Sequence, residues 1–206
     1  MRGIGRMLAE AGYRAVLVDL RGHGRSSGDW LTYGVVDSND LTQVLDHLDS
    51  VDLLDEPVGL FGCLYGGAVA LQLAARDAQV KSVVTVATFT SLDDAVGSSA
   101  RQFAPGWMIT PAMIASAVEE AGNIGHFRAS QASPLLAITR TQARVLLIHG
   151  TEDRKLPCSF SQALHAAAKD HSQLILVQGA DHNSIMRETT GPLWGPIIAW
   201  LAKETT

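Results

Sequence analysis

Val58-Gly59-Leu60-Phe61-Gly62-Cys63-Leu64-Tyr65-Gly66-Gly67-Ala68-Val69-Ala70-Leu71 decides how the chain is read. An apolar strand enters a turn bounded by Gly62 and Gly66, and a helix rich in Ala and Leu follows. Glycine at those two positions lets the backbone turn sharply and lets strand and helix approach where a side chain would collide. Strand, turn and helix in immediate succession form the unit from which parallel α/β sheets are built.

Outward from this stretch the alternation recurs. Residues 80–87 are a β-branched run, and 145–150 and 174–177 are further short apolar runs. On the N-terminal side, Ala15-Val16-Leu17-Val18-Asp19-Leu20 is nearly continuous in its apolar character, as expected of a strand covered on both faces of a parallel sheet. Helical spacing predicts helices over 2–12 (Ile4, Met7 and Leu8 on one face, Gly12 as stop), 40–49 (Leu41, Val44, Leu45, Leu48), 162–169 and 193–203. Five strands alternating with helices predict a doubly wound, mostly parallel sheet in one α/β domain over residues 1–206. Residues 88–142 interrupt the pattern. Residues 110–121 within them read as helix, and Phe103, Trp107, Met108, Ile109 and Met113 supply large apolar side chains. Such a piece either covers a sheet edge or forms a helical cap-like insertion that walls a pocket at the carboxyl ends of the strands.

The 206 residues suffice for a sizeable core, and 47% hydrophobic with 18% charged residues is a globular composition. A net charge of -5 without a Lys/Arg cluster argues against a nucleic-acid partner. No apolar run reaches spanning length and no signal peptide opens the chain, so no membrane partner is expected. Cys63 and Cys158 are too few for a disulfide framework and read as reduced thiols of a cytoplasmic protein. No G-x-G-x-x-G follows the first apolar run and no phosphate loop ends in Gly-Lys. His149, Asp153 and His182 have no H-x-x-x-H or Cys pair to anchor a metal. No metal or organic cofactor is expected.

Three ordered motifs make the chain resemble the α/β-hydrolase family. Gly62-Cys63-Leu64-Tyr65-Gly66 is similar to its G-x-S-x-G nucleophile elbow. His149-Gly150-Thr151-Glu152-Asp153-Arg154-Lys155-Leu156-Pro157 resembles the loop carrying the acid, and Gly179-Ala180-Asp181-His182-Asn183 the loop carrying the base. The resemblance implies Asp153 as acid and His182 as base, with Glu152 and Asp181 as alternative acids. It also implies the Tyr65 N–H as an oxyanion donor, and a small acyl ester, thioester, amide or peptide as substrate. Arg21 and His23, in the glycine-rich loop Arg21–Gly28, are expected at the pocket rim, Cys63 beside the pocket, and His149 as a brace for its own loop.

The pattern breaks in two places. Leu64 stands at the nucleophile position, and leucine has neither a lone pair nor an ionisable proton. Cys63 precedes the elbow tip and diverges from it, and a Tyr65 phenol is a poor nucleophile near neutral pH. The second break is at the front: the family has three strands before the helix matching residues 2–12, whereas this chain begins inside that helix. The third of those strands lies between the ones matching 15–20 and 58–63, and its loop supplies the other oxyanion donor. The expectation is an N-terminally truncated fold, with those two strands paired directly or separated by a slot that an N-terminal segment or a partner strand completes. The function expected is that of a protein of esterase or peptidase ancestry, catalytically impaired. The alternatives are a non-catalytic member binding a small molecule or protein, and an active hydrolase whose nucleophile lies elsewhere.

Overall fold

The computed structural model describes residues 2–54 and 57–202. Four strands, β1 (Val58–Cys63), β2 (Val80–Val86), β3 (Arg144–Gly150) and β4 (Ser172–Val177), pair in parallel in the order β1-β2-β3-β4. Successive strands therefore neighbour one another, and all their carboxyl ends lie along one margin of the sheet.

Alternate side chains of the central strands enter two separate cores, as the pleat requires. Val83, Val145 and Leu147 pack with Leu45, Leu71, Ile138 and Leu164. The helices that precede β4 are α1 (Arg2–Glu10), α2 (Asp37–Ser50), α3 (Tyr65–Ala74), α4 (Leu92–Ala100), α5 (Pro111–Gly125), α6 (Pro134–Ile138) and α7 (Ser159–Ala167). The side chains named belong to α2, α3, α6 and α7. On the opposite face Val84, Val86, Leu146 and Ile148 meet Ile185 of α8 (Ser184–Glu188) and Ile197 of α9 (Trp194–Ala202). Helices on both faces of a parallel sheet make the fold doubly wound, as expected. The predicted helices appear with shifted ends: 40–49 grows to Asp37–Ser50, and 162–169 moves to Ser159–Ala167. Lys203, given to the closing helix, lies outside the described residues.

The fifth expected strand does not form. Residues 15–20 are extended but join no ladder. Val16, Leu17 and Val18 are 49%, 49% and 43% exposed, against 0–2% for the valines of β2. An apolar run becomes a buried strand only when neighbours supply ladder hydrogen bonds and cover both faces, and among the described residues none does so here. Local bonds hold the segment's ends instead. Leu20 O accepts His23 N–H at 2.8 Å, Asp19 O accepts Ser26 Oγ–H at 2.6 Å, and Arg14 Nη1 donates to Leu53 O at 2.8 Å. Of the two outcomes expected at the front, direct pairing of 15–20 with β1 is the one not seen, and β1 is an edge of the four-stranded sheet.

Between β2 and β3 lie α4, a 3-10 turn at Gly106–Met108, α5, a second 3-10 turn at Ala129–Gln131 and α6. Leu92 and Val118 form a small core of their own with Ala132, against which Tyr33, Ile114 and Phe127 pack. The helix expected over 110–121 is Pro111–Gly125, opened by Thr110, whose Oγ1 accepts Met113 N–H at 3.2 Å.

Candidate active site

The elbow comes first because β1 aims it. Leu64 follows the last residue of β1, and its backbone stands at φ 53, ψ -118. Non-glycine residues rarely adopt that region, and holding one there costs about 1–3 kcal/mol. The surroundings fix it: Leu64 N–H donates to Val86 O at 2.8 Å, and Leu64 O accepts Thr88 Oγ1–H at 3.0 Å. A Cβ at Gly62 would lie 2.2 Å from Gly66 O, so glycine is obligatory there for helix and strand to meet. At Gly66 a Cβ would meet nothing within 4 Å. The close approach predicted for both glycines is therefore confined to Gly62, with Gly67 tight against Thr88 at 3.1 Å. Leu64 is half-buried and packs on the core that also holds Phe61 and Cys63.

The acid and base loops follow β3 and β4. Asp153 is buried, and its Oδ1 accepts the N–H groups of Lys155 and Leu156, both at 2.9 Å. Its Oδ2 accepts His182 Nδ1–H at 2.7 Å. Burial alone would raise the carboxyl's pKa, but the flanking His149 ring, the Leu156 N–H and His182 outweigh it and hold the group below its ordinary value. The acid is thus an ionised partner that fixes the imidazole tautomer and leaves Nε2 to exchange a proton. Glu152 is exposed, and Asp181 Oδ1 is occupied by the N–H groups of Asn183 and Ser184 at 2.8 and 2.7 Å. Among the three candidate acids the structure brings Asp153 to the histidine.

His149 is fully buried, and its Nε2–H donates to Leu156 O at 2.8 Å while Nδ1 accepts Ser161 Oγ–H at 2.7 Å. It braces the turn that presents Asp153, as expected. Ser161, on α7, carried no signal in the sequence.

Cys63 is half-buried on the same core. Burial pushes its thiol up to about 12, so the thiolate is scarce at neutral pH. Burial, with Asp37 beside it, also raises the Tyr65 phenol. That phenol donates to Asp37 Oδ2 at 2.9 Å and accepts the N–H groups of Thr32 and Tyr33 at 3.1 and 3.0 Å. The side chain of Tyr65 is thereby committed to a buried brace with Asp37 that sequence reading missed. Its main-chain N–H belongs to the first turn of α3, where amides lack an intrahelical acceptor.

Arg21 is tied fork-to-fork to Asp40 (Nε–Oδ2 and Nη2–Oδ1, both 2.9 Å) and lines a cleft of about 260 Å³ with Asp19, Asp37 and Leu41. Its guanidinium is thus spent on α2. His23 is exposed, donates Nδ1–H to Arg21 O at 3.0 Å and lies 5.5 Å from the Tyr65 ring. Among the described residues no group of three or more His, Cys, Asp or Glu is placed to hold a metal.

An alpha/beta hydrolase family profile matches residues 4–191. The chain belongs to that family. Among curated proteins it is 26% identical over 180 residues to the uncharacterized protein YqkD of Bacillus subtilis, covering 85% of this chain and 58% of YqkD. It is 25% identical over 190 residues to YfhR of Escherichia coli K12, covering 91% and 59%. The chain thus spans under two thirds of these relatives. Among solved structures, the Pyrococcus furiosus esterase Pf2001 superposes with a TM-score of 0.74 at 19% identity, over 98% of this chain and 75% of the esterase. The acylaminoacyl peptidase of Pyrococcus horikoshii gives 0.63 at 19% identity, over 84% and 29%. At these identities the structural likeness speaks for the fold.

Proposed function

We propose that this family member descends from hydrolases of carboxylic esters or amides, keeps their acid–base pair in Asp153 and His182, and has lost the nucleophile at Leu64. The observation that carries the reading is a 2.7 Å hydrogen bond between Asp153 and His182 on loops beside an elbow tipped by leucine at φ 53. Acyl transfer needs an attacking oxygen or sulfur whose proton the base removes. The leucine tip offers none, and the neighbouring thiol is too basic. The pair would polarise or bind an acyl compound without cleaving it. In this reading residues 88–142 are the cap over that pocket, Arg21 and His23 its rim, and the Tyr65 N–H an oxyanion donor; no organic cofactor is needed. A strand from an N-terminal segment or a partner, between residues 15–20 and β1, would complete the sheet. The protein would work in the cytoplasm.

The test is hydrolysis of p-nitrophenyl acetate and butyrate by wild type, Leu64→Ser and Leu64→Ser with His182→Ala. Wild type is expected at the uncatalysed rate. Leu64→Ser is expected to gain at least ~10²-fold, and His182→Ala to remove that gain. Wild-type turnover abolished by Cys63→Ala would instead identify an active cysteine hydrolase. A binding role is the second reading, favoured by the half-buried Leu64 on an apolar core. It predicts that wild type retains a non-hydrolysable ketone analogue in calorimetry and that Leu64→Asp loses it.

A further inference from the structure

Asp37 is 0% exposed, and the surroundings treat its two carboxylate oxygens unequally. Oδ2 accepts the Thr32 hydroxyl, the Gly34 N–H at 3.0 Å and the Tyr65 phenol at 2.9 Å. Further bonds fix two of these donors in place. Thr32 Oγ1 also accepts the N–H groups of Val36 and Asp37 at 3.2 and 3.3 Å, and the Tyr65 oxygen accepts those of Thr32 and Tyr33. Oδ1 is buried and has no hydrogen-bond partner among the described residues. A buried carboxylate oxygen left bare costs stability, and native folds retain one where something else completes its hydrogen bonds.

Asp37 also lines the cleft of about 260 Å³ whose walls are residues 18–21 and 26–27 and the first turns of α2. The three donors to Oδ2 stand outside those walls, so Oδ1 is the oxygen left to face the cleft. No residue of the elbow, of β1 or of the Asp153 and His182 loops lines it. The cleft is thus separate from the candidate active site and from the slot beside β1.

Its charge and its walls select the occupant. Asp19, Asp37 and Asp40 meet a single guanidinium there, that of Arg21. Arg21 is tied by two bonds of 2.9 Å to Asp40, which raises its pKa first, with the charge of Asp37 contributing least. Asp19 Oδ2 accepts the main-chain N–H of Arg25 at 3.2 Å, which brings no charge. Among the described residues neither Asp19 nor Asp37 has an ion-pair partner. A cation would balance them, and no three acidic groups among the described residues are placed to chelate a metal ion. Leu20, Leu41 and Val44, all half-buried, offer apolar wall to an aliphatic stem. An ammonium group brings three donors and no acceptor, which suits a bare carboxylate oxygen. We propose that the cleft is a binding site for a primary ammonium on an aliphatic stem, seated on Asp37 Oδ1. The site does not depend on the chemistry proposed for Leu64.

The experiment is titration of the purified, isotope-labelled chain with n-butylammonium chloride, followed by amide NMR. Wild type is expected to saturate in the millimolar range or below, with shifts centred on Asp37, Leu41 and Val44. n-Butanol, uncharged and of similar shape, is expected to bind at least ~10-fold more weakly. Asp37→Asn keeps an oxygen for the three donors and turns an amide N–H to the cleft, so it is expected to lose at least ~10-fold in affinity. Should that variant fail to fold, Asp19→Asn, at an exposed position, is expected to bind at least ~3-fold more weakly with its thermal melt unchanged. Cadaverine binding more tightly than Nα-acetyl-lysine methylamide would assign the site to a free amine, and the reverse order to a lysine side chain; each supports the proposal. Wild type that does not saturate overturns it, as do shifts centred away from the cleft. An equal response to n-butanol or to potassium chloride overturns it as well, and so does either variant binding as tightly as wild type.

Discussion

The two ends of the candidate site are built differently. At the ends of β3 and β4, the loops supply their own partners: Asp153 accepts two amides of its own turn and the imidazole of the next loop. His149 and Ser161 lock the same turn from beneath. At the end of β1, Leu64 is hydrogen-bonded through its own backbone to Val86 O and Thr88 Oγ1, sits in a region leucine resists, and stands on a strand that is a sheet edge. A loop whose polar groups close on one another keeps its geometry whatever stands elsewhere. An elbow keeps its backbone geometry too, but it presents a single side chain, here that of Leu64, which carries no polar atom.

The largest effect that separates the ends is catalytic. With a nucleophile restored by Leu64→Ser, Asp153→Asn is expected to lower ester turnover by ~10³–10⁴-fold, because the imidazole loses its fixed tautomer. A loss under tenfold would mean that the acid end is no longer organised for catalysis. Next comes packing, measured by chemical denaturation. Leu147→Ala, in a fully buried position of β3, is expected to cost about 2–5 kcal/mol, and Leu17→Ala, half exposed on the unpaired run, below ~1 kcal/mol. Equal costs would show that 15–20 is packed in solution.

The acid limb of the stability curve sharpens the contrast further. The Asp153 carboxyl is depressed in the folded protein, so its contribution is complete above the unfolded value, about 3.9. It is lost as pH falls through the lower folded value. Asp153→Asn is therefore expected to flatten the fall in melting temperature below about pH 4, and an unchanged slope would place the stabilisation elsewhere. The smallest effect is at the elbow. Leu64→Gly is expected to be about 1 kcal/mol more stable than Leu64→Ala, inverting the usual order, because only glycine meets φ 53 without strain.

Sequence reading recovered what short-range pattern encodes. The four paired strands, the elbow, Asp153 and His182 all stand in stretches whose glycines and apolar runs specify strand, turn and loop locally. Residues 15–20 carry the same apolar signal yet stay unpaired, because a ladder is a property of neighbours that one segment cannot declare. The Tyr65–Asp37 brace and the Ser161–His149 bond escaped for a related reason. Each joins residues far apart in the chain, and neither tyrosine nor serine at such positions carries a spacing that points to its partner.

One further property follows from where residues 102–118 are carried. β2 and β3 lie side by side, so the chain between them is a closed loop on the sheet whatever its content. The entropy of closing such a loop grows only with the logarithm of its length, about 0.6 kcal/mol per doubling. The segment between β2 and β3 can therefore be lengthened or trimmed at small entropic cost, while the scaffold beneath keeps its register.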